Sequence, residues 1–429
     1  MPRIVRFIDL FAGIGGIRTG LSQALLEAGY TPQCVMTSEI KPYAITVLKD
    51  NYEHENIVGD ITQIHTKDIP DFDILCAGFP CQAFSSAGKR QGFADTRGTL
   101  FFEVERILKE KKPKGFILEN VEGLVNHDGG RTLDVILSRL LELDYKLDFK
   151  VLNSVDFGVP QERKRIYIVG SLNEKPILND FPITYRTVGE ILETGKPTLD
   201  TPFIKCLLDH FKIEDLYGKS IKDKRGGDTN IHSWDLEIKG SVSDEQKNLL
   251  NHILRERRKK KWAEIIGIDW MDGMPLTCKQ ISSFHPHPRL QEMLDDLTQK
   301  GYLKFEHPKK KISITDILGN TTTHRVYDTT LPKGYNIVAG KLSFEINKVL
   351  GPDEIAPTLV AMDMQKIYVA DHGGLRRLTL REGLRLFGYP ETMRLNVSEK
   401  EGFDLLGNTV VVPVIKAVAN KLLNAINLN

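Results

Sequence analysis

The 429-residue chain reads as an α/β protein: a Rossmann-like, doubly wound, mostly parallel sheet with a smaller, irregular second domain. Three observations predict this. Short apolar runs alternate with segments of helical period as far as residue 170, the pattern of a sheet with helices on both faces. A glycine-rich turn separates the first run from the first helix, the joint at which such sheets bind nucleotide-like ligands. After Ser171, prolines and basic runs replace the alternation, and regular sequence returns near residue 375. The core domain is therefore expected to be discontinuous, residues 1–185 with 375–429, and residues 186–374 to form the second domain.

Residues 5–10 are the first strand. FAGIGG at 11–16 is the turn, and Ile17, Leu21, Ala24, Leu25 and Ala28 then recur at helical spacing until Gly29 ends the helix. Glycines in such a turn let backbone N–H groups approach a ligand closely. Their spacing is not G-x-G-x-x-G, so a nicotinamide cofactor is not the first choice. Residues 33–38 are the second strand and end at Glu39, where an acid commonly accepts ribose hydroxyls. A third short strand at 57–58 ends at Asp60. Taken singly, either acid is better read as a helix cap or a solvated loop residue; together they suit adenosine, one for the ribose and one for the adenine amino group.

Residues 73–77 are a buried strand that Gly78 and Pro80 break, so that Cys81 stands at a carboxyl edge of the sheet. A lone cysteine is most often a small buried hydrophobe. Here it opens a long loop, 82–98, rich in Ser, Gly, Lys and Arg, of the kind that closes over a site. A helix at 99–109 follows, then a strand at 114–118 ending in Glu119, and a strand at 166–170 preceded by Arg163 and Arg165.

Composition narrows the function classes. Lys plus Arg (58) nearly balances Asp plus Glu (57), which excludes a globally basic coat but not local basic patches. Five cysteines, with no C-x-x-C and no paired spacing with histidine, argue against a zinc site or a disulfide framework and fit a reducing cytosol. No run approaches the roughly 20 apolar residues of a membrane span, and the N-terminus is read as a first strand, not as a signal peptide.

Six segments, in order, resemble the motifs of the prokaryotic DNA cytosine-5 methyltransferases: FIDLFAGIGG (7–16), GFPCQ (78–82), ENV (119–121), QERKR (161–165), RLTLRE with LFGYP (377–390) and GNTVV (407–411). Leu380 stands where proline is common in the family and Thr409 where serine is, small departures that leave activity expected. The resemblance implies the class I methyltransferase fold, S-adenosyl-L-methionine as cofactor with S-adenosyl-L-homocysteine as product, and double-stranded DNA as partner. It implies a cytoplasmic, nucleoid-associated monomer that acts alone or protects DNA against a separately encoded restriction endonuclease. No membrane and no metal are implied.

By the same resemblance, the cofactor site comprises Phe11, Gly13, Gly15 and Gly16 of the turn, the strand-end residues Glu39, Ile40, Asp60 and Ile61, and also Pro80, Leu100 and Asn408. Cys81, Glu119, Arg163 and Arg165 are the catalytic set, and Gln82, Ser85, Lys89 and Arg97 of the loop are DNA contacts. Cytosine C5 is a poor nucleophile, so a thiolate must first add at C6 to push electron density to C5. Glu119 would bond N3 and the exocyclic amine, Arg165 the O2, and Arg163 would brace the site. The sequence names no base for the C5 proton. The target atom lies inside a stacked duplex, so the base must be flipped out. Two rivals remain: a tRNA cytosine-5 methyltransferase on the same fold, which the long middle region disfavours, and an inactive DNA-binding regulator, which intact Cys81, Glu119 and Arg165 disfavour.

Within the second domain, residues 245–315 resemble a winged-helix module. The helix after Pro288 would then lie in a groove, with Arg289, Gln291 and Lys300 toward bases or phosphates, although such modules also mediate protein contacts. Basic runs lie at 255–261 and 309–311.

Overall fold

The computed structural model describes residues 3–52, 56–80, 99–223, 229–271, 273–315, 321–338, 344–360 and 364–428. Its main sheet is built from β1 (Ile4–Leu10), β2 (Thr31–Ser38), β3 (Ile57–Val58), β4 (Ile74–Ala77), β5 (Gly115–Val121), β6 (Lys146–Asn153) and β7 (Lys164–Ser171). The spatial order is β3-β2-β1-β4-β5-β7-β6. β1 pairs in parallel with β2 and β4, and β4 with β5, whereas β7 runs antiparallel to both β5 and β6. The doubly wound, mostly parallel sheet expected from the sequence is present, with β7 as its reversed strand.

Burial explains which strands read clearly. All four residues of β4 are fully buried, as a central strand covered on both faces requires. β6 was not expected. Its sequence, KLDFKVLN, alternates polar and apolar residues, and Lys146 and Lys150 are exposed at the sheet edge, where charge discourages further pairing.

Helices α1 (Gly16–Glu27), α2 (Pro42–Asn51), α3 (Thr99–Lys111) and α4 (Arg131–Leu141) connect the strands. On one side, Val104 and Ile107 of α3 and Ile136 and Leu140 of α4 share a core with Leu75, Phe116 and Ile168 of the sheet. On the other, the C-terminal helix Val412–Leu423 lies against α1 so closely that a Cβ at Gly20 would stand 2.6 Å from Ile415 Cβ and 2.9 Å from the Val412 carbonyl. Gly20→Ala is accordingly expected to destabilise the fold by about 1–3 kcal/mol, the usual cost of overpacking, read as a lowered denaturant midpoint. Among the described residues one stretch, Glu399–Leu423, is apolar and long enough to cross a membrane, but 72% of its most apolar 18-residue window is buried in the fold and it is broken into two helices, Glu399–Gly407 and Val412–Leu423.

Contacts divide the chain into two units: Met1–Lys196 with Leu350–Gln365 and Arg377–Asn429, and Pro197–Val349 with Lys366–Arg376. The first contains the seven-stranded sheet. The second has one apolar core around Ile204, Leu207, Tyr368 and Leu375, and another around Leu249, Ile253, Leu294 and Leu297.

That last core belongs to a helix-turn-helix with a wing. Helices Asp244–Glu256, Cys278–Ser282 and Leu290–Gln299 are followed by strand Leu303–Glu306, which pairs antiparallel with Gly334–Ile337; Leu276 bridges to Tyr335 as a third, one-residue strand. Between the paired strands projects a two-stranded ribbon, Lys309–Thr315 with Thr321–Tyr327. Leu250 and Ile253 of the first helix meet Leu294 and Leu297 of the third in the core, which is why these apolar residues recur at helical spacing.

A histidine of this module's turn, His285, pairs with His252 of its first helix. His252 Nδ1 and His285 Nδ1 are 2.8 Å apart, so one must donate and the other accept. Burial, with His252 and His287 nearby, lowers the His285 pKa below its usual value of 6.5. The unfolded chain therefore takes up this proton first as pH falls. Stability is expected to be intact above about pH 7 and to decline as pH drops through 6.5. Thermal unfolding between pH 7.5 and 5.5 checks this: His285→Gln should flatten the dependence.

Candidate active site

The strand order reverses at β1, whose chain continues to β2 on one side while β4 is added on the other. The loops after β1 and β4 therefore flank the crevice where open α/β sheets bind ligands. The first loop is tightly wound: Phe11, Gly13 and Gly15 have φ of 56°, 56° and 79°. A left-handed phenylalanine is costly backbone, of the kind that persists where surrounding structure fixes it.

Glu39, at the end of β2, does the fixing. Its Oε2 accepts the Gly13 N–H at 2.7 Å, and its Oε1 accepts the N–H groups of Ile40 and Lys41, both at 2.8 Å. The acid read as a ribose acceptor is thus also a brace between two strand ends, with only part of its accepting capacity left. Ile40 beside it is 69% exposed, a flat apolar surface at the crevice. A Cβ at Gly13 would meet nothing within 4 Å, whereas one at Gly16 would lie 2.6 Å from Tyr389 Oη and from Val410 Cγ2. Gly13 borders open space; Gly16 admits the C-terminal segment, where Tyr389 and Thr409 hydroxyls bond at 2.6 Å.

The other residues assigned to the cofactor divide. Asp60 is exposed and caps a single turn by accepting the Thr62 N–H at 3.0 Å, the helix-cap reading realised. Ile61 is 2% exposed and belongs to the sheet core, so its side chain is not on the crevice surface. Leu100 is half-buried at the head of α3, and Pro80 is exposed in the loop after β4. Asn408 is exposed and bonds back to the Asp404 carbonyl at 2.8 Å; Asp404 in turn pairs with Lys41 at 2.9 Å, next to Ile40. An open cradle at Gly13, an exposed Ile40 and accepting carboxylates at the ends of β2 and β3 form a surface suited to an adenosine-bearing cofactor.

Across the crevice, β5 presents Glu119 and β7 is preceded by Arg163. Val121 of β5 lies opposite Arg165 of β7 in the antiparallel register, which carries the Arg165 side chain back to Glu119: Nε to Oε1 is 3.2 Å. Both are largely buried. Burial raises the Glu119 carboxyl above the usual carboxylate range, against the opposing pull of Arg165 and Arg163. A Cβ at Gly78 would be 3.6 Å from Glu119 Oε2, so this carboxyl adjoins the loop that leads into Cys81. Beside Arg165, Val121, Glu122, Gly123, Glu162, Lys164 and Thr358 line an open depression of about 420 Å³.

Arg163 is buried and differently occupied. It donates to the carbonyls of Leu359 (2.9 Å), Gly407 (3.2 Å) and Thr409 (2.9 Å), and burial, with Arg165 nearby, pushes its pKa down to about 10. It acts on the site through the segments it ties together.

One site residue went unassigned in sequence. Asn120 donates from Nδ2 to the Phe79 carbonyl at 3.0 Å and accepts the Val121 N–H at 2.8 Å, pinning the β4 loop to β5. Its place directly after Glu119 in ENV was the available signal. Cys81, Gln82, Ser85, Lys89 and Arg97 lie outside the described residues. Cys76, within β4, is the inert contrast: fully buried, its thiol pKa is pushed up by burial and then by Asp9. Among the described residues, no three His, Cys, Asp or Glu side chains are placed to hold a metal.

A seven-stranded sheet with its single reversed strand, and a crevice formed at the ends of β1 and β4, define the class I methyltransferase fold. The comparisons are specific. The family model for C-5 cytosine-specific DNA methylases matches residues 5–424. Over 98% of this chain and 99% of each relative, identity is 61% to the type II methyltransferase M.NlaIV of Neisseria lactamica and 60% to M.NgoBV of Neisseria gonorrhoeae. Among solved structures, the Dnmt2 methyltransferase of S. pombe shares the fold at a TM-score of 0.52 and 16% identity, over 98% of this chain and 99% of that one. The chain belongs to the C-5 cytosine-specific DNA methylase family and is a DNA (cytosine-5-)-methyltransferase.

Proposed function

We propose that the chain methylates C5 of a cytosine flipped out of a specific duplex DNA sequence, through a covalent adduct between Cys81 and C6. The observation that supports this most is the buried Glu119–Arg165 pair, 3.2 Å apart, beside the loop that leads into Cys81. When bound, S-adenosyl-L-methionine supplies an electrophilic methyl group and leaves as S-adenosyl-L-homocysteine. Phe11, Gly13, Glu39 and Ile40 would hold it against the ends of β1 and β2.

The chain's own groups do the rest. Cys81 loses its proton and its sulfur adds to C6, placing electron density on C5 and negative charge across N3 and O2. Glu119, whose raised pKa keeps a proton on the carboxyl at higher pH than an exposed acid would, donates to N3. Arg165 offers its guanidinium to O2. After C5 is methylated, its proton leaves to a base, the C6–S bond breaks, and the thiolate is restored. Asn120 and Arg163 hold the loop and the C-terminal segments in register for this. Gln82, Ser85, Lys89 and Arg97 would contact the DNA from which the base is taken.

Relatives named type II methyltransferases at 61% and 60% identity support a place as the modification enzyme of a restriction-modification system; we further take it to be a cytoplasmic monomer acting beside a separately encoded endonuclease. Labelled methyl transfer to duplex DNA and to tRNA, followed by mapping of methylated cytosines, tests the reading. Methylation at one duplex sequence is expected. Transfer to tRNA alone, or to neither, would overturn it.

A further inference from the structure

We propose that the winged-helix module contacts duplex DNA with its β-ribbon, Lys309–Thr315 and Thr321–Tyr327, and not with the second helix of its helix-turn-helix. This rests on DNA being the substrate and adds which surface meets it.

Register assigns the ribbon's faces. Lys309 pairs with Tyr327, Lys311 with Arg325 and Ser313 with Thr323, so these six side chains share one face, while Lys310, Ile312 and Ile314 point to the other. The first face carries three cations, two hydroxyls and an aromatic ring, and no carboxylate. Lys309 Nζ stands 4.8 Å from the Tyr327 ring centroid, and Tyr327 is 50% exposed. Two acids meet this face: Asp269 pairs with Lys311 at 3.3 Å with both side chains well exposed, an exchangeable contact that a phosphate can replace, and Glu306, itself neutralised by Lys304 at 2.8 Å, accepts from the Tyr327 hydroxyl at 2.8 Å. Arg325 donates to the Trp270 carbonyl at 3.2 Å, and Trp270 Nε1 donates to the Arg258 carbonyl at 2.9 Å. The face is therefore linked, over the 40% exposed Trp270, to Arg258 in the run 255–261, within which Arg257 is buried and Lys259 and Lys261 pair with Glu256.

The helix offers the opposite. The exposed residues of Leu290–Gln299 include Glu292 and Asp295, which phosphates would repel. Of the flanking cations, Lys300 is held by Asp296 at 2.7 Å and by the Ser241 carbonyl at 2.8 Å, and Arg289 is left as the one in an exposed, exchangeable pair, with Glu245 at 3.2 Å. Gln291 bonds Asp295 and Tyr335. A two-stranded ribbon fits the major groove as a helix does, and lysines and hydroxyls suit phosphate and base-edge contact.

The test uses the full-length enzyme, a duplex bearing its mapped site, and the variants Lys309→Gln/Lys311→Gln/Arg325→Gln and Arg289→Gln/Lys300→Gln. Affinity is measured against salt concentration, together with kcat and KM. The ribbon variant is expected to bind roughly tenfold or more weakly, with the salt slope reduced by about 0.9 per cation removed and KM raised at near-constant kcat. Thermal unfolding like wild type shows that folding is not the cause. Wild-type affinity and slope in the ribbon variant, or losses confined to the helix variant, would overturn the inference, as would a ribbon that binds an acidic protein and leaves DNA affinity unchanged. A wild-type enzyme that neither binds nor methylates duplex DNA would instead overturn the proposed function itself.

Discussion

Replacing Cys81 with serine is expected to lower methyl transfer by about 10⁴-fold or more, the scale on which removal of a covalent nucleophile is felt. A serine hydroxyl is far harder to ionise than a thiol near pKa 8.5 and much less polarisable, so addition at C6 fails even with the base in place. The rest of the site is untouched by the change. The Glu119–Arg165 pair and the crevice at the ends of β1 and β2 are unaltered, so the loss should fall on the chemical step. Single-turnover transfer of a labelled methyl group, set beside DNA affinity, separates the two: the rate should collapse while affinity stays within a fewfold. A rate within tenfold of wild type would mean that another group activates the ring.

Glu119→Gln should have the second largest effect, a loss of about 10²–10⁴-fold in kcat. Glutamine preserves shape but its amide N–H is far too weakly acidic to give a proton to N3, and it puts a neutral amide in place of the acid 3.2 Å from Arg165. The pH profile gives a sharper signature. Burial raises the Glu119 pKa, and the working form is protonated, so the wild-type kcat should fall as pH rises through that raised value. The residual rate of the glutamine variant should lack this limb. Had the ionised carboxylate been the working form, the wild-type rate would rise over the same range.

How much of this was legible in sequence depends on whether the information was local. β1, β4 and β5 read clearly because they are apolar runs closed by glycine or by an acid, and Glu119 was placed at a strand end by that pattern alone. β6 did not, because an edge strand buries little. The bracing role of Glu39 was hidden for another reason: its bond to the Gly13 N–H joins residues 26 apart in the chain, and nothing in either segment announces it. Arg163 is the extreme case, with acceptors 196, 244 and 246 residues away. Ile61, which opens the turn that Asp60 caps, has its side chain in the core, so any contact it makes with a cofactor would run through its backbone, which an apolar letter in sequence does not reveal. The winged-helix order was visible from spacing, but the ribbon's two faces follow from its register, which sequence does not fix.

The most direct test of the central claim is to trap the adduct. A duplex carrying 5-fluorocytosine at the mapped target has no C5 proton to release, so the C6–S bond cannot break after methylation. Incubated with enzyme and S-adenosyl-L-methionine, it should yield a denaturant-resistant complex whose cross-linked peptide contains Cys81, and none with Cys81→Ser. An enzyme that methylates ordinary cytosine at that site but leaves the fluorinated duplex unlinked, or linked through another residue, would contradict the account.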